Sequence, residues 1–219
     1  MLCEPLASLT HLVGAALALV LLPSLMARVG APWPRRAAYG VFGLSAVFLL
    51  AASGTYHACD LGTEARTFMQ RVDHAAIFLL IAGTYTPVVM EHYRGKTRTA
   101  LLTLVWTLGL GGVITKTILF NSIPQWLSLS WYLAMGWIGL IGAGFLARRV
   151  GIKPLLPLVW GGVAYSVGAL ADGFGWPILY EGVIGPHEVF HIGVLAGLGI
   201  HAWLLAQYAH QFRPALANG

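Results

Sequence analysis

Charged positions divide the chain into long apolar segments. Uninterrupted charge-free stretches run at 5–27, 37–59, 74–90, 99–115, 117–147, 154–171 and 189–212. A helix that crosses the hydrocarbon core of a bilayer needs about 20 mostly apolar residues, whereas a buried soluble helix needs fewer. Even the 17-residue stretches reach that range, because Arg and Lys at helix ends extend back to the headgroups. The stretch at 117–147 is divided by Asn121-Ser-Ile-Pro124 into a connection and a single helix. The pattern therefore predicts an all-α, polytopic seven-transmembrane bundle, with helices at about 7–27, 37–58, 68–90, 98–119, 125–147, 154–171 and 187–210. Ser8 or Thr10 is expected near the first helix start, Asp73-His74 near the start of the third, and Pro186-His187 at the start of the seventh. Short loops leave no room for a soluble domain, so residues 1–219 read as one membrane domain.

Composition agrees with this pattern and removes other classes. Of 219 residues, 58% are apolar and 10% charged, with a mean hydropathy of +0.74. Soluble domains carry about 25% charged residues. Cys3 and Cys59 are the whole cysteine complement, too few for a disulfide scaffold and without CxxC spacing. The net charge of +5 does not indicate nucleic acid, because the Lys and Arg residues are scattered through loops and form no stripe. The start Met1-Leu-Cys-Glu-Pro5 has no basic run, so the first apolar segment reads as a retained helix.

The loop cations set an orientation. Arg66, Arg71 and Lys116 fall on one side; Arg28, Arg35, Arg36, Arg94, Lys96, Arg98, Arg148, Arg149, Lys153 and Arg213 fall on the other. The positive side is cytoplasmic. That places the carboxyl terminus inside and the amino terminus outside.

Ionisable residues inside spans are costly and mark functional sites by default. Here His57 closes the second helix, Asp73 and His74 lie at the third, and His187, Glu188 and His191 open the seventh. Alternating helix direction brings all of these ends to one membrane face. His187 and His191 are i and i+4, one turn apart on a single helix face, which is the spacing of a two-histidine metal grip. A third nitrogen from His57 would complete three ligands and leave a fourth position of a tetrahedral zinc open to water. Ser53 lies one turn before His57, and Asp73 can reach the site from the neighbouring helix to orient a water or take its proton. The alternatives are a structural hydrogen-bond cluster, or an Asp73 that only fixes a histidine tautomer. His11, His92, His201 and His210 read as packed or interfacial histidines, and Cys59 as a packing residue.

His187-Glu-Val-Phe-His191 also fits H-E-x-x-H, the signature in which Glu188 would be the base of a metalloprotease. Intramembrane proteases of that type draw a further ligand from a later Asp-Gly, and Asp172-Gly173 comes earlier in the chain. The glycine-rich segments around Gly109, Gly139 and Gly193 read as close helix packing.

Three ordered motifs carry a resemblance: Ser53-Gly-Thr-Tyr-His57; Asp73-His-Ala-Ala-Ile77 continuing to Ile81-Ala-Gly-Thr-Tyr-Thr-Pro87; and His187-Glu-Val-Phe-His191. With Glu4 and Thr10-His11 ahead of them, the chain resembles the progestin and adiponectin receptor family, most closely its bacterial branch, the hemolysin III family. The resemblance implies a seven-helix fold in a bacterial inner membrane and a zinc ion held by His57, His187 and His191, with Asp73 and Ser53 acting on its water. It implies ceramidase-like hydrolysis of a lipid amide or ester, with substrate entering laterally from the bilayer and a role in membrane lipid homeostasis. A receptor-like protein with a structural zinc and a cytolysin are the competing readings it carries. The adiponectin receptors have their zinc face in the cytoplasm, whereas the cation count here puts the corresponding face outside.

The orientation is testable. Alkaline phosphatase, which needs export, is expected to be inactive when fused after residue 211, and a green fluorescent protein at the same point is expected to fluoresce. The reverse pair of results would invert the topology.

Overall fold

The computed structural model describes residues 3–30 and 32–211. Eight α-helices appear among them: α1 (Pro5–Val29), α2 (Trp33–Ala58), α3 (Glu64–His92), α4 (Gly95–Ile118), α5 (Gln125–Trp137), α6 (Gly139–Val150), α7 (Leu156–Phe174) and α8 (Pro186–Gln211). Single 3-10 turns precede α5 and α7. No strand occurs among the described residues, and the only pairing is an isolated bridge between Tyr180 and Ile184. Arg213, counted above on the cytoplasmic side, lies outside the described residues.

Six of these helices, α1 to α4, α7 and α8, are long and apolar enough to cross a membrane. At 1.5 Å per residue the 25 residues of α1 extend about 37 Å, beyond the roughly 30 Å of hydrocarbon. The protein is an all-α polytopic membrane protein. Its outer faces are apolar, with Leu17, Val20, Ile114, Val167 and Trp203 exposed, and Val20 reaches 73%. Such a surface suits lipid and not water. Inside, Tyr39, Leu50, Phe78, Met135 and Leu205 are fully buried.

The expected single helix at 125–147 is instead two. Tyr85, on α3, inserts its hydroxyl between them: the O–H donates to the Gly136 carbonyl at 2.6 Å and accepts from the Gly139 N–H at 2.9 Å. The Ile138 N–H still bonds to the Ala134 carbonyl at 2.9 Å, but at Gly139 the i→i−4 ladder is interrupted by the inserted hydroxyl, a common cause of helix breaks. A side chain at position 139 would collide with the Tyr85 ring, so glycine is required there. Hydrophobicity is continuous across the break, and sequence periodicity has no means of registering an incoming hydroxyl.

Helix starts also differ from expectation, with α2 opening at Trp33 rather than about 37 and α4 at Gly95 rather than about 98. Helix α3 begins at Glu64, where the Thr63 hydroxyl accepts from the Arg66 N–H at 3.2 Å. Its first two turns are polar and lie ahead of the apolar run, so Asp73 sits well inside the helix and not at its opening. Helix α1 starts at Pro5, and neither Ser8 nor Thr10 caps it. Ser8 donates across to the Gly54 carbonyl of α2 at 2.9 Å, while Thr10 bonds back to Leu6 within its own helix at 2.8 Å.

Packing follows chain order. The pairs α1/α2, α2/α3, α3/α4 and α7/α8 are neighbours, α8 returns to α1, and α5 touches α3, α4 and α7. Close approach of α7 and α8 depends on Gly168 and Gly193, since a Cβ on Gly193 would lie 2.8 Å from the Ala164 carbonyl oxygen and 3.0 Å from the Gly168 Cα. Gly168 is one turn before Asp172 and Gly193 two residues after His191, so this contact also fixes part of the polar face. At the opposite end, buried Arg35 gathers four helices. Its Nε meets Glu91 Oε1 at 2.6 Å, and its Nη atoms donate to the Val29 and Tyr208 carbonyls at 2.6 and 3.1 Å. Tyr39 donates to the same Glu91 oxygen at 2.8 Å.

Replacing Tyr85 by Phe leaves the Gly139 N–H and Gly136 carbonyl without their partner. A loss of about 1–3 kcal/mol is expected, read as a lowered Tm in detergent. An unchanged Tm would show that the helix closes on itself once the hydroxyl is gone.

Candidate metal centre

The last turn of α2 supplies His57, and the first two turns of α8 supply His187 and His191. Loop lengths and helix directions bring these ends to one face, and the Gly168–Gly193 contact presses α8 onto α7. His57 and His191 are each 2% exposed. Their Nε2 atoms converge: His187 to His57 at 3.2 Å, and His191 to His187 at 3.1 Å. One ligand atom from each of the three lies within 4.8 Å of the others, a group able to hold a metal ion.

The far side of two rings explains their orientation. The His57 Nδ1 meets Glu4 Oε2 at 2.5 Å, and the His187 Nδ1 meets Asp172 Oδ1 at 2.9 Å. An imidazole whose Nδ1 faces a carboxylate keeps its proton there, so its Nε2 carries a lone pair. Two such lone pairs then face each other across 3.2 Å. Such an arrangement is favourable only with a proton or a metal cation between the two nitrogens. Zinc–nitrogen bonds of about 2.0–2.1 Å in a tetrahedral site separate neighbouring nitrogens by roughly 3.3 Å, close to the spacing found. The donor set therefore fits a divalent transition metal.

Glu4 is held in turn. It occupies the N-cap position of α1, its N–H donates to the His57 carbonyl at 3.1 Å, and its carboxylate accepts from Arg66 Nη2 at 2.9 Å. Burial raises the Glu4 pKa, but the bonds to His57 and Arg66 together outweigh it, and the carboxyl stays below its ordinary value. His191 is ordered differently. Its ring packs on that of His11 with centroids 4.0 Å apart, and the His191 Nδ1 and both His11 nitrogens are buried without a partner among the described residues.

The remaining candidates divide. Ser53, buried on α2, lies against the Asp73 carboxylate, and Asp73 is within electrostatic range of His187. No hydrogen bond joins Asp73 to a ring nitrogen of the triad among the described residues. The tautomer-fixing role considered for Asp73 belongs to Glu4 and Asp172 instead. His74 turns aside, its Nδ1 meeting the Gln70 carbonyl at 2.8 Å. Glu188 accepts from the Gly185 N–H at 2.9 Å and so caps its own helix. Asp172 carried a legible signal: it ends the sixth predicted span on the same face as the other polar residues. His11, seven residues beyond Glu4 and in the first turns of α1, lies on that face by the same reasoning.

A polytopic helical membrane protein with three converging histidines at one face is the class that fold and site define. The chain matches the family described as haemolysin-III related over residues 1–202, and it belongs to that family. It is 32% identical over 193 residues to "Hemolysin-3 homolog" of Bacillus subtilis (strain 168), covering 87% of this chain and 86% of that protein. It is likewise 32% identical over 192 residues to "Hemolysin-3" of Bacillus cereus, covering 87% and 84%.

Elemental analysis of detergent-purified protein is expected to find one equivalent of transition metal, lost in a His187→Ala/His191→Ala variant. Asp172→Asn should keep the fold but weaken metal affinity by about 10–100-fold, measured by chelator competition. Equal affinity in Asp172→Asn would remove the orienting role of that carboxylate.

Proposed function

We propose that this protein is a zinc-dependent integral membrane hydrolase of a lipid amide or ester, serving membrane lipid homeostasis. The observation that carries the reading is a third carboxylate: Glu4 and Asp172 orient the ligand rings, while Asp73, within electrostatic range of His187 and 3.9 Å from the His74 Nδ1, bonds to no nitrogen of the triad. Structural zinc sites are closed by four protein ligands; a three-histidine site with an uncommitted carboxylate nearby has the layout of a catalytic one. His57, His187 and His191 would hold the ion, which when bound supplies a Lewis acid and a water of lowered pKa. Asp73 would accept the proton of the attacking water and return it to the leaving group, and Ser53 would keep the Asp73 carboxylate turned toward the site. Substrate would enter laterally from the bilayer.

In the membrane, α5 and α6 would act together as a seventh span, since the roughly 26 residues from Gln125 to Val150 extend about 39 Å. The cation distribution supports a cytoplasmic carboxyl terminus and a metal face outside the bacterial inner membrane.

A second reading has its own support. The triad and its two carboxylates join α1, α2, α7 and α8, so the metal could act as a structural staple in a receptor-like protein. Asp73→Asn separates the two. For a hydrolase, the variant retains its metal and loses at least about 100-fold in turnover of a ceramide-type amide. Turnover equal to wild type would overturn the proposed role of Asp73. No turnover in the metal-loaded wild type, together with a large fall in Tm on chelation, would favour the staple.

A further inference from the structure

Three cations lie on the metal face, and only one is neutralised. Arg66 pairs with Glu4 at 2.9 Å. Arg71 and Lys116 make no ion pair among the described residues, and the Arg71 Nε is buried without a hydrogen-bond partner. Lys116 is the sharper case. It is 5% exposed, and the one contact found for its ammonium is the Phe120 ring, with Nζ 4.8 Å from the centroid.

The carboxylates that might have answered it are engaged elsewhere or exposed. Glu4 and Asp172 hold His57 and His187, Glu188 caps α8, and Asp73 faces Ser53. Asp60, Glu64 and Glu181 are exposed. A lysine serving only the carboxyl end of α4 would run its chain outward and leave the charge in water; this one is covered. Burying an ammonium without an anion is expensive, and intramembrane cations of this kind mark ligand paths.

Lys116 also stands next to the chemistry. Phe120, which it covers, packs edge-on against His74 with centroids 5.2 Å apart. His74 follows Asp73 directly and is within electrostatic range of both Lys116 and His187. Tyr132 donates to the His74 carbonyl at 3.1 Å and closes the cluster from α5. Lys116 thus reaches His74 on α3 through the Phe120 ring, and Arg71 stands one turn before His74 on the same helix.

We propose that Lys116 is a binding site for the anionic phosphate group of a lipid ligand. Ile118 and Leu119, which follow Lys116 at the end of α4, are exposed and apolar and suit the lipid-facing surface. A phosphate at Lys116 can therefore keep its acyl chains in the bilayer, which a free phosphate has no reason to do. The inference rests on the hydrolase reading for one thing only: it makes the lipid acted on at the triad an anionic one.

The test is titration of the metal-loaded protein in neutral detergent with dihexanoyl phosphatidate, with dihexanoylglycerol and with inorganic phosphate, following heat or thermal shift. Wild type is expected to bind phosphatidate at least tenfold tighter than dihexanoylglycerol and to weaken at high salt. Lys116→Met should lose at least tenfold toward phosphatidate alone, Lys116→Arg should stay near wild type, and both should keep their full metal content. Equal binding of phosphatidate by wild type and Lys116→Met overturns the site, as does a wild type that ignores the phosphate. Inorganic phosphate competing as well as phosphatidate overturns the lipid source. If Lys116→Met does not fold, salt-independent binding of phosphatidate by wild type has the same overturning force. Phosphatidate binding through Lys116 in a protein without turnover removes the hydrolase and leaves this site standing.

Discussion

A chain dissolved in hydrocarbon has no water with which to bond its peptide groups, and that constraint orders everything else in this protein. Helices satisfy the backbone internally, and their outward faces are left apolar because the surrounding solvent is apolar as well. Polar side chains then have few places to go. Two clusters stand out, one around Arg35 and Glu91 at one end and one around the three histidines at the other. Even the break between α5 and α6 obeys the rule, since the Tyr85 hydroxyl takes over the freed N–H and carbonyl.

The two polar assemblies differ in kind. At the Arg35 end the donors and acceptors match: one guanidinium serves a carboxylate and the carbonyls that end α1 and α8, and Tyr39 completes the carboxylate. Such a closed knot fastens helices. At the histidine end the balance is left open. Ring nitrogens face one another at 3.2 Å, the His191 Nδ1 has no partner among the described residues, and a lysine is buried over a phenyl ring. Buried groups left unanswered cost free energy. Several of them sit close to the three histidines, which is what a cation between the rings would answer.

Orientation of the rings shows how far the site reaches into the fold. Glu4 belongs to the entry of α1 and Asp172 to the exit of α7, so two ligands from α2 and α8 are aimed by two other helices. The Gly168–Gly193 approach sets the separation across which Asp172 acts. The geometry of the centre therefore rests on packing as much as on its ligands.

Much of this was legible in the residues themselves. Apolar runs long enough to span, the alternation of helix direction, and the i, i+4 pair His187 and His191 all arise from periodicities that the sequence expresses directly, and together they brought His57 to the same face. Local chemistry does not encode which side chain enters from a distant helix. Periodicity therefore gave one helix at 125–147 where Tyr85 makes two, and it missed the polar opening of α3 because hydropathy sees only the apolar run. The partners of His57 and His187 were decided by tertiary structure for the same reason. Glu4 and Asp172 are 53 and 15 residues from the rings they orient, and a hydrogen bond over such separations exists only once the helices have packed.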